Sequence, residues 1–293
     1  MNEKNRKIIH CDADCFYAAI EMRDDRSLCG RPIAIGGSAD RRGVLSTCNY
    51  EARAFGVRSA MATATAKRLC RELLVLPGNM EKYREAALQI RSIFYDYSDL
   101  VEPLSLDEAF IDVSNCKQYQ GSATLIAEDI RRRVQDSVGI TVSAGVTPNK
   151  FLAKIGSDWN KPNGLFAVKP HKITDFVSEL EVRKIPGIGP KTAERLAANG
   201  IVLCKDVYAY SLIELVNLYG RTGAILFQRS RGQDTRPLVT ERVRKSISVE
   251  RTFAQDLYLS DELDQAAESL WAEFVLRTEK ANIDPRSLSP FVK

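Results

Sequence analysis

The residues best placed to do chemistry in this 293-residue chain are two adjacent acids, Asp107 and Glu108. They sit in the stretch Pro103-Leu104-Ser105-Leu106-Asp107-Glu108-Ala109-Phe110. Residues 100–102 and 109–113 on either side read as strands. Consecutive strand side chains face opposite ways, so neighbouring acids converge on one site only at a hairpin tip or a bulge. Held together they repel, and a hard divalent cation such as Mg²⁺, which takes oxygen ligands, relieves that cost. A lone pair of this kind is more often a solvated loop. A second acidic element changes the balance: Ile8-Ile9-His10-Cys11-Asp12-Ala13-Asp14 is an apolar run that meets carboxylates as it ends. A buried strand delivering ligands to its C-terminal edge has this pattern.

The elements needed to position these acids are legible from periodicity. Helices are predicted over 16–23, 80–97, 123–138 and 150–159, and strands over 32–35, 44–47, 140–146 and 165–168. The order strand, helix, strand-strand hairpin, helix, strand predicts an α+β fold with a split βαβ (ferredoxin-like) palm, which sets Asp12 and the Asp107-Glu108 turn on neighbouring strands. The aromatics of 80–97, Tyr83 among them, read as core. Between the acidic elements, Tyr50 and Arg53 lie three positions apart and share one helical face. An aromatic with a guanidinium suits a nucleoside triphosphate, and a core tyrosine beside a solvated arginine is the plainer alternative. Gly36-Gly37 lacks the spacing of a phosphate loop and reads as a turn. Arg58, Lys67, Arg68, Arg71 and the run Arg131-Arg132-Arg133 read as solvent-facing.

From about residue 171 short helices dominate. Ile185-Pro186-Gly187-Ile188-Gly189-Pro190-Lys191-Thr192-Ala193 is a tight glycine turn followed by proline at a helix's first position. The free amides of such a corner can hold a DNA backbone phosphate, and a purely structural corner is the competing reading. Residues 218–224 read as a second corner. Arg229, Arg231, Arg236, Arg242, Arg244, Lys245 and Arg251 then crowd a stretch poor in acids, as phosphate contacts along a linker would. A strand over 246–253, a helix over 264–282 and the beginning of a further strand at Pro290-Phe291-Val292-Lys293 complete the expectation.

Composition narrows the function classes. The length allows about two to three domains with a sizeable core. A net charge of +4 is only mildly basic and makes no case for nucleic acid by itself. Seven scattered cysteines form no CxxC pair, which argues against a disulfide framework or a zinc site and for buried thiols in a reducing compartment. With two histidines, His10 and His171, any metal centre must rest on carboxylates. No apolar run reaches the ~18 residues of a membrane span, and the first residues form no signal peptide, so a cytoplasmic location without membrane partners is expected.

An ordered set of motifs resembles the Y-family translesion DNA polymerases, nearest to the bacterial DinB type, over essentially the whole chain. The set is Cys11-Asp12-Ala13-Asp14-Cys15-Phe16-Tyr17, Ser46-Thr47-Cys48-Asn49-Tyr50-Glu51-Ala52-Arg53, Leu104-Ser105-Leu106-Asp107-Glu108-Ala109, Ser143-Ala144-Gly145-Val146 and Lys161-Pro162-Asn163-Gly164. The resemblance implies a low-fidelity, template-directed polymerase that adds dNTPs to a primer 3′-hydroxyl with two Mg²⁺ ions and without proofreading. It implies Asp12, Asp107 and Glu108 as catalytic metal ligands with the backbone carbonyl of Ala13. It makes Tyr17 a steric gate against ribose, Phe16 a further substrate-binding residue beside it, and Thr47, Tyr50, Arg53 and Lys161 triphosphate contacts. DNA contacts are expected from Gly187, Gly189, Lys191 and Thr192 of the helix-hairpin-helix and from Arg244 and Lys245 of the linker.

The domains implied are a palm of residues 1–14 and 78–169, a small fingers insertion of 15–77, a helical thumb of 170–240, and 241–293 as linker and the start of an α/β little finger. The partners implied are primer-template DNA and dNTPs, for a protein acting as a monomer. The family's little finger and its sliding-clamp docking peptide extend further than this sequence, which reads as a truncation. A palm-fold nucleotidyl cyclase and a non-catalytic DNA-binding protein are the alternatives. The glycine turn and basic stretch argue against the first, and the three acids against the second.

Overall fold

Ile8–Ala13 forms β1, the central strand of a five-stranded sheet. Its apolar residues Ile8, Ile9 and Cys11 are fully buried, and the strand carries acids only where the sheet ends. The computed structural model describes residues 6–241, 243–283 and 287. The chain divides into two compact units, residues 1–25 with 79–240, and residues 26–78 with 241–293.

In the first unit, β1 runs into helix α1 (Phe16–Asp24). The remaining sheet strands are β5 (Val101–Pro103), β6 (Glu108–Asp112), β7 (Val142–Thr147) and β8 (Leu165–Ala167), in the order β5-β6-β1-β7-β8. Pairings are antiparallel except β7 with β8. Three helices cover the sheet: α4 (Met80–Tyr95), α5 (Ala123–Val138) and α6 (Lys150–Trp159). Each is capped by a side chain that accepts a first-turn amide, from Asn79, Ser122 and Asn149. Tyr83, Ala87, Ile90 and Phe94 of α4 are buried, as their spacing requires.

α6 lies unusually close to the sheet. A Cβ on Gly145 of β7 would stand 2.0 Å from the Ala153 carbonyl oxygen and 2.5 Å from the Ser157 nitrogen, so only glycine permits this approach. Arg131, expected to face solvent, instead donates to the Val142 carbonyl and to both oxygens of Asn163, tying α5 to the loop before β8. Arg132 is exposed, and Arg133 pairs with Asp96 over the Tyr97 ring.

The helical part of this unit comprises α7 (Ile173–Ser178), α8 (Pro190–Ala198), α9 (Leu212–Tyr219) and α10 (Arg221–Arg229) around Leu180, Leu196, Ile201, Val207, Leu215 and Leu226. The predicted second corner is the break between α9 and α10 at Gly220, whose φ is +58°. After α10 the chain returns to the sheet. Asp234 accepts from the Phe151 amide at 2.9 Å, and Asn149 donates to the Gly232 carbonyl at 2.9 Å. Glu102 and Lys150, both buried, pair with each other; Glu102 also accepts from the Val239 amide, and Lys150 donates to the Pro237 carbonyl. Two buried charges persist here because each has its partner and a backbone group besides.

The second unit holds a three-stranded sheet, β3 (Leu45–Cys48), β2 (Ile33–Gly36) and β4 (Leu74–Leu76), with helices α2 (Tyr50–Ala54) and α3 (Thr63–Leu69). Its core is Ala34, Leu45, Cys48, Ala52, Val57, Ala66, Cys70 and Leu73. β4 escapes sequence reading because three residues carry no periodicity. The unit also contains helix α11 (Ser260–Ala281), which begins four residues earlier than predicted.

The strand predicted over 246–253 is not formed. A strand needs a ladder partner, and this segment finds none among the described residues; Arg251 pairs with Glu273 of α11, and the Ser248 carbonyl accepts from Arg277. The strand predicted at residues 290–293 lies outside the described residues, as does Arg242. All seven cysteines are free, five of them buried and Cys29 exposed. No helix among the described residues is long and apolar enough to cross a membrane.

Candidate active site

Register decides which acids meet. Asp12 of β1 stands directly opposite Glu108 of β6, and directly opposed residues place their side chains on the same face. His10, two positions before Asp12, faces the same way. One ligand atom from each of His10, Asp12 and Glu108 lies within 4.8 Å of the others. Asp107 occupies the turn just before β6. Its carbonyl accepts the Ala13 amide at 2.9 Å, locking the turn onto the end of β1, and its carboxylate accepts the Ser105 hydroxyl at 2.6 Å. The predicted turn therefore exists, but Glu108 lies beyond it as the first residue of the strand.

The charges are tuned apart. Burial pushes the Asp12 carboxyl up to about 6; Lys161, which donates to it, works the other way, and the nearby charges of Asp158 and Asp107 add to the rise. Burial also acts to raise Glu108, but hydrogen bonding from His10 and Lys154 outweighs it and holds that carboxyl down to about 2. Hard, clustered oxygen donors of this kind fit a divalent metal such as Mg²⁺.

Sequence reading misses the supporting groups. His10 is fully buried, and its Nδ1 lies 2.8 Å from Ser157 Oγ, whose own hydroxyl donates to the Lys154 carbonyl. His10 and Ser157 share one hydrogen bond whose direction is set by the ring's tautomer. Nε2 stands 3.1 Å from Glu108 Oε2. Burial pushes the His10 pKa down, and hydrogen bonding with Glu108 works the other way. Asp14, a buried acid to which the sequence assigns no role, accepts from Thr141 Oγ1 at 2.7 Å, Ser143 Oγ at 2.8 Å and the Asn163 amide at 2.8 Å. It thereby holds the loop that carries Lys161.

Phe16 and Tyr17 open α1. Phe16 is buried and half-buried Tyr17 stacks on Tyr83, with centroids 4.3 Å apart and planes 17° from parallel. The Tyr83 hydroxyl donates to Glu21 at 2.6 Å, so the Tyr17 ring rests on a fixed wall. Burial, and then the Asp107 charge, push the Tyr17 phenol above its ordinary pKa. Phe16, Tyr17, Asp12, Asp107, Glu108 and Lys161 thus all belong to one unit.

Thr47, Tyr50 and Arg53 belong to the other. Asn49 caps α2 through the Ala52 amide at 3.1 Å and accepts the Ile33 amide of β2 at 3.0 Å, which fixes where the helix begins. Arg53 then lies over the Tyr50 ring, 4.7 Å from its centroid, with Nε donating to the Cys48 carbonyl at 3.2 Å. The shared face read from their spacing is present.

At the glycine turn, Gly187 has φ +97°, while Ile185 and Ile188 anchor the turn in the core. α8 starts at Pro190 with no side-chain cap, and Lys191 beside it is exposed. The first amides of such a helix carry no intrahelical partner. Arg244 and Lys245 are exposed. Three other arginines of the basic stretch are not free for phosphate. Arg229 is buried, 2.9 Å from Asp234; Arg236 holds the same carboxylate at 2.8 Å; and Arg231 lies over Phe227, 3.6 Å from its centroid. Asp234, one of the few acids in this cationic run, consumes two of its cations.

The chain is similar to known proteins over most of its length. Residues 11–158 match the impB/mucB/samB family, residues 183–234 the thumb domain of DNA polymerase iota, and residues 244–293 the impB/mucB/samB C-terminal domain. DNA polymerase IV of Shewanella baltica is 54% identical over 276 residues, covering 94% of this chain and 77% of the relative. DNA polymerase IV of Pseudomonas syringae pv. tomato is 52% identical over 288 residues, covering 98% and 82%. Among solved structures, DinB from Sulfolobus solfataricus superposes with a TM-score of 0.75 at 31% identity over 80% of this chain and 69% of that one. An insertion ternary complex of Dbh DNA polymerase gives 0.74 at 31% over 79% and 69%. With Asp12 set opposite Glu108 across the β1–β6 pair and relatives of this similarity along nearly its whole length, the chain belongs to the Y-family DNA polymerases, in the bacterial DinB branch.

Proposed function

We propose that the chain is a DNA-directed DNA polymerase of translesion synthesis, which extends a primer 3′-hydroxyl with dNTPs. The observation that carries this reading is the opposition of Asp12 and Glu108 across β1 and β6, with the Asp107 turn locked against Ala13. Family membership implies a divalent metal, and the donors fit one; two Mg²⁺ ions, held by Asp12, Asp107, Glu108 and the Ala13 carbonyl, are the finer reading. Such ions supply a lowered pKa at the primer hydroxyl and neutralise charge on the departing pyrophosphate.

The chain's own residues do the rest. Lys161, Thr47, Tyr50 and Arg53 are the residues proposed to contact the triphosphate, and the Tyr17 ring, backed by Tyr83, excludes a ribose 2′-hydroxyl. The turn at Gly187 and Gly189, with Lys191 and Thr192, grips a phosphate of the duplex, and exposed Arg244 and Lys245 add contacts. A nucleotidyl cyclase or a non-catalytic DNA-binding protein is not favoured by the relatives found.

Primer extension with Mg²⁺, comparing wild type with Asp107→Ala, tests the reading. The variant is expected to lose about a hundredfold or more in rate, the scale of deleting one electrostatic element of a transition-state site. Its affinity for primer-template, followed by fluorescence anisotropy, should remain. A wild-type protein that binds DNA and extends nothing would refute the assignment.

A further inference from the structure

Two of the three acids already hold a cation belonging to the chain. Lys154 of α6 donates to Glu108 Oε2, and Lys161, just past the end of the same helix, donates to Asp12 Oδ1. Neither carboxylate is more than a fifth exposed, at 18% and 19%, so each ammonium helps to compensate for a charge removed from water, on Glu108 together with His10. Asp107 is served differently, by the Ser105 hydroxyl. Lys154 and Lys161 are the ammonium groups in direct contact with the pair.

An ammonium and a divalent ion compete for the same carboxylate lone pairs, so the ion gains its ligands only as the lysines leave. The two lysines differ in where they can go. Lys154 is 32% exposed and has water beside it, whereas Lys161 is 17% exposed, is hemmed by Asp158 at 3.4 Å, and sits in a loop anchored by Asp14 and Arg131. Asp158 already gives Lys161 a second, exposed carboxylate, and a nucleoside triphosphate, which carries more negative charge than either acid, competes best for the ammonium.

Resting on the polymerase reading, we propose that Lys154 and Lys161 are exchangeable counter-ions of the unloaded centre, and that the triphosphate draws Lys161 off Asp12 so that metal and nucleotide load cooperatively. Coupling of this kind is reciprocal: whatever the nucleotide adds to metal affinity, the metal adds to nucleotide affinity. Lys154 becomes a positioning residue for Glu108, holding its carboxylate ionised and aimed until an ion arrives.

The test is Mn²⁺ binding to the intact chain, followed by loss of the free-ion electron paramagnetic resonance signal under nitrogen at pH 8.5, where proton competition at Asp12 is small. Without nucleotide, Lys161→Met and Lys154→Met are each expected to bind Mn²⁺ about tenfold more tightly than wild type, since an opposite charge at contact is worth about 1–3 pKa units to a carboxylate. Lys161→Arg, which keeps the charge, should bind as wild type does. A non-hydrolysable dNTP analogue, after subtraction of the Mn²⁺ it holds alone, should tighten binding in wild type and Lys154→Met and leave Lys161→Met nearly unchanged.

Mn²⁺ affinity that is equal or weaker in both methionine variants, with wild-type circular dichroism, overturns the proposal; should one variant not fold, the other decides. That failure would leave primer extension intact, while absence of wild-type extension would remove the polymerase reading and leave the Mn²⁺ result standing.

Discussion

Single side chains in this centre act through what backs them. Tyr17 presents a ring that cannot retreat, because Tyr83 lies parallel to it and is itself tied to Glu21. A steric gate needs that rigidity, since a ring free to tilt would yield to one extra hydroxyl. Tyr17→Ala is expected to raise ribonucleotide incorporation relative to deoxynucleotide by roughly tens to hundreds of fold, the range over which small steric differences in a pocket discriminate. Tyr17→Phe, which keeps the ring, should retain wild-type selectivity. Single-nucleotide insertion with matched rNTP and dNTP pairs measures both, and an unchanged ratio in Tyr17→Ala would remove the gate. The same dependence on a neighbour governs the acids: Asp12 and Glu108 are the same chemical group at opposite register positions, yet burial raises one and hydrogen bonding lowers the other.

Among the elements, α6 does most to build the site. From one helix and the loop after it come Lys154, Ser157 and Lys161, and its capped start, at Asn149, is held to the returning chain at Gly232 and Asp234. Its closeness to β7 depends on Gly145, which pairs with His10 in the sheet. Gly145→Ala would drive a methyl into the helix backbone and should destabilise the protein by about 1–3 kcal/mol or more. It should also impair extension by moving Lys154 and Lys161 off the acids. Gly189→Ala, where a Cβ meets open space, should leave the urea midpoint near wild type. Equal midpoints for Gly145→Ala and wild type would contradict the close approach.

Over the whole molecule, charge is divided between structure and surface. A net charge of +4 hides arginines that stabilise the fold, such as Arg229 on Asp234, and cations left to solvent, such as Lys191, Arg244 and Lys245. Counterion release makes only the second group count toward DNA binding. Affinity for primer-template is therefore expected to fall steeply with salt. The paired change Arg244→Ala with Lys245→Ala should reduce the slope of log affinity against log salt by roughly 2, about one for each DNA phosphate left without its cation. Arg229→Ala should leave the slope alone while lowering the melting temperature. Salt-independent binding by wild type would remove the role given to these cations.

What can be read without coordinates is local or periodic. The helices over residues 123–138 and 150–159, the core face of α4, the acids at the ends of β1 and at the β5–β6 turn, and the glycine corner all follow from patterns within a few residues, because backbone geometry repeats over that distance. The resemblance to a known family then attaches roles to Tyr17, Arg53 and Lys161.

Only the folded chain could show that Glu108 belongs to a strand rather than its turn, or that His10, Ser157 and Lys154 stand behind it. The same holds for Asp14 as the anchor of the Lys161 loop and for Arg229 as a buried partner. Each of these depends on residues far apart in sequence, and whether a charge faces water, a phosphate or another charge is set by sheet register and helix packing, which no single stretch encodes.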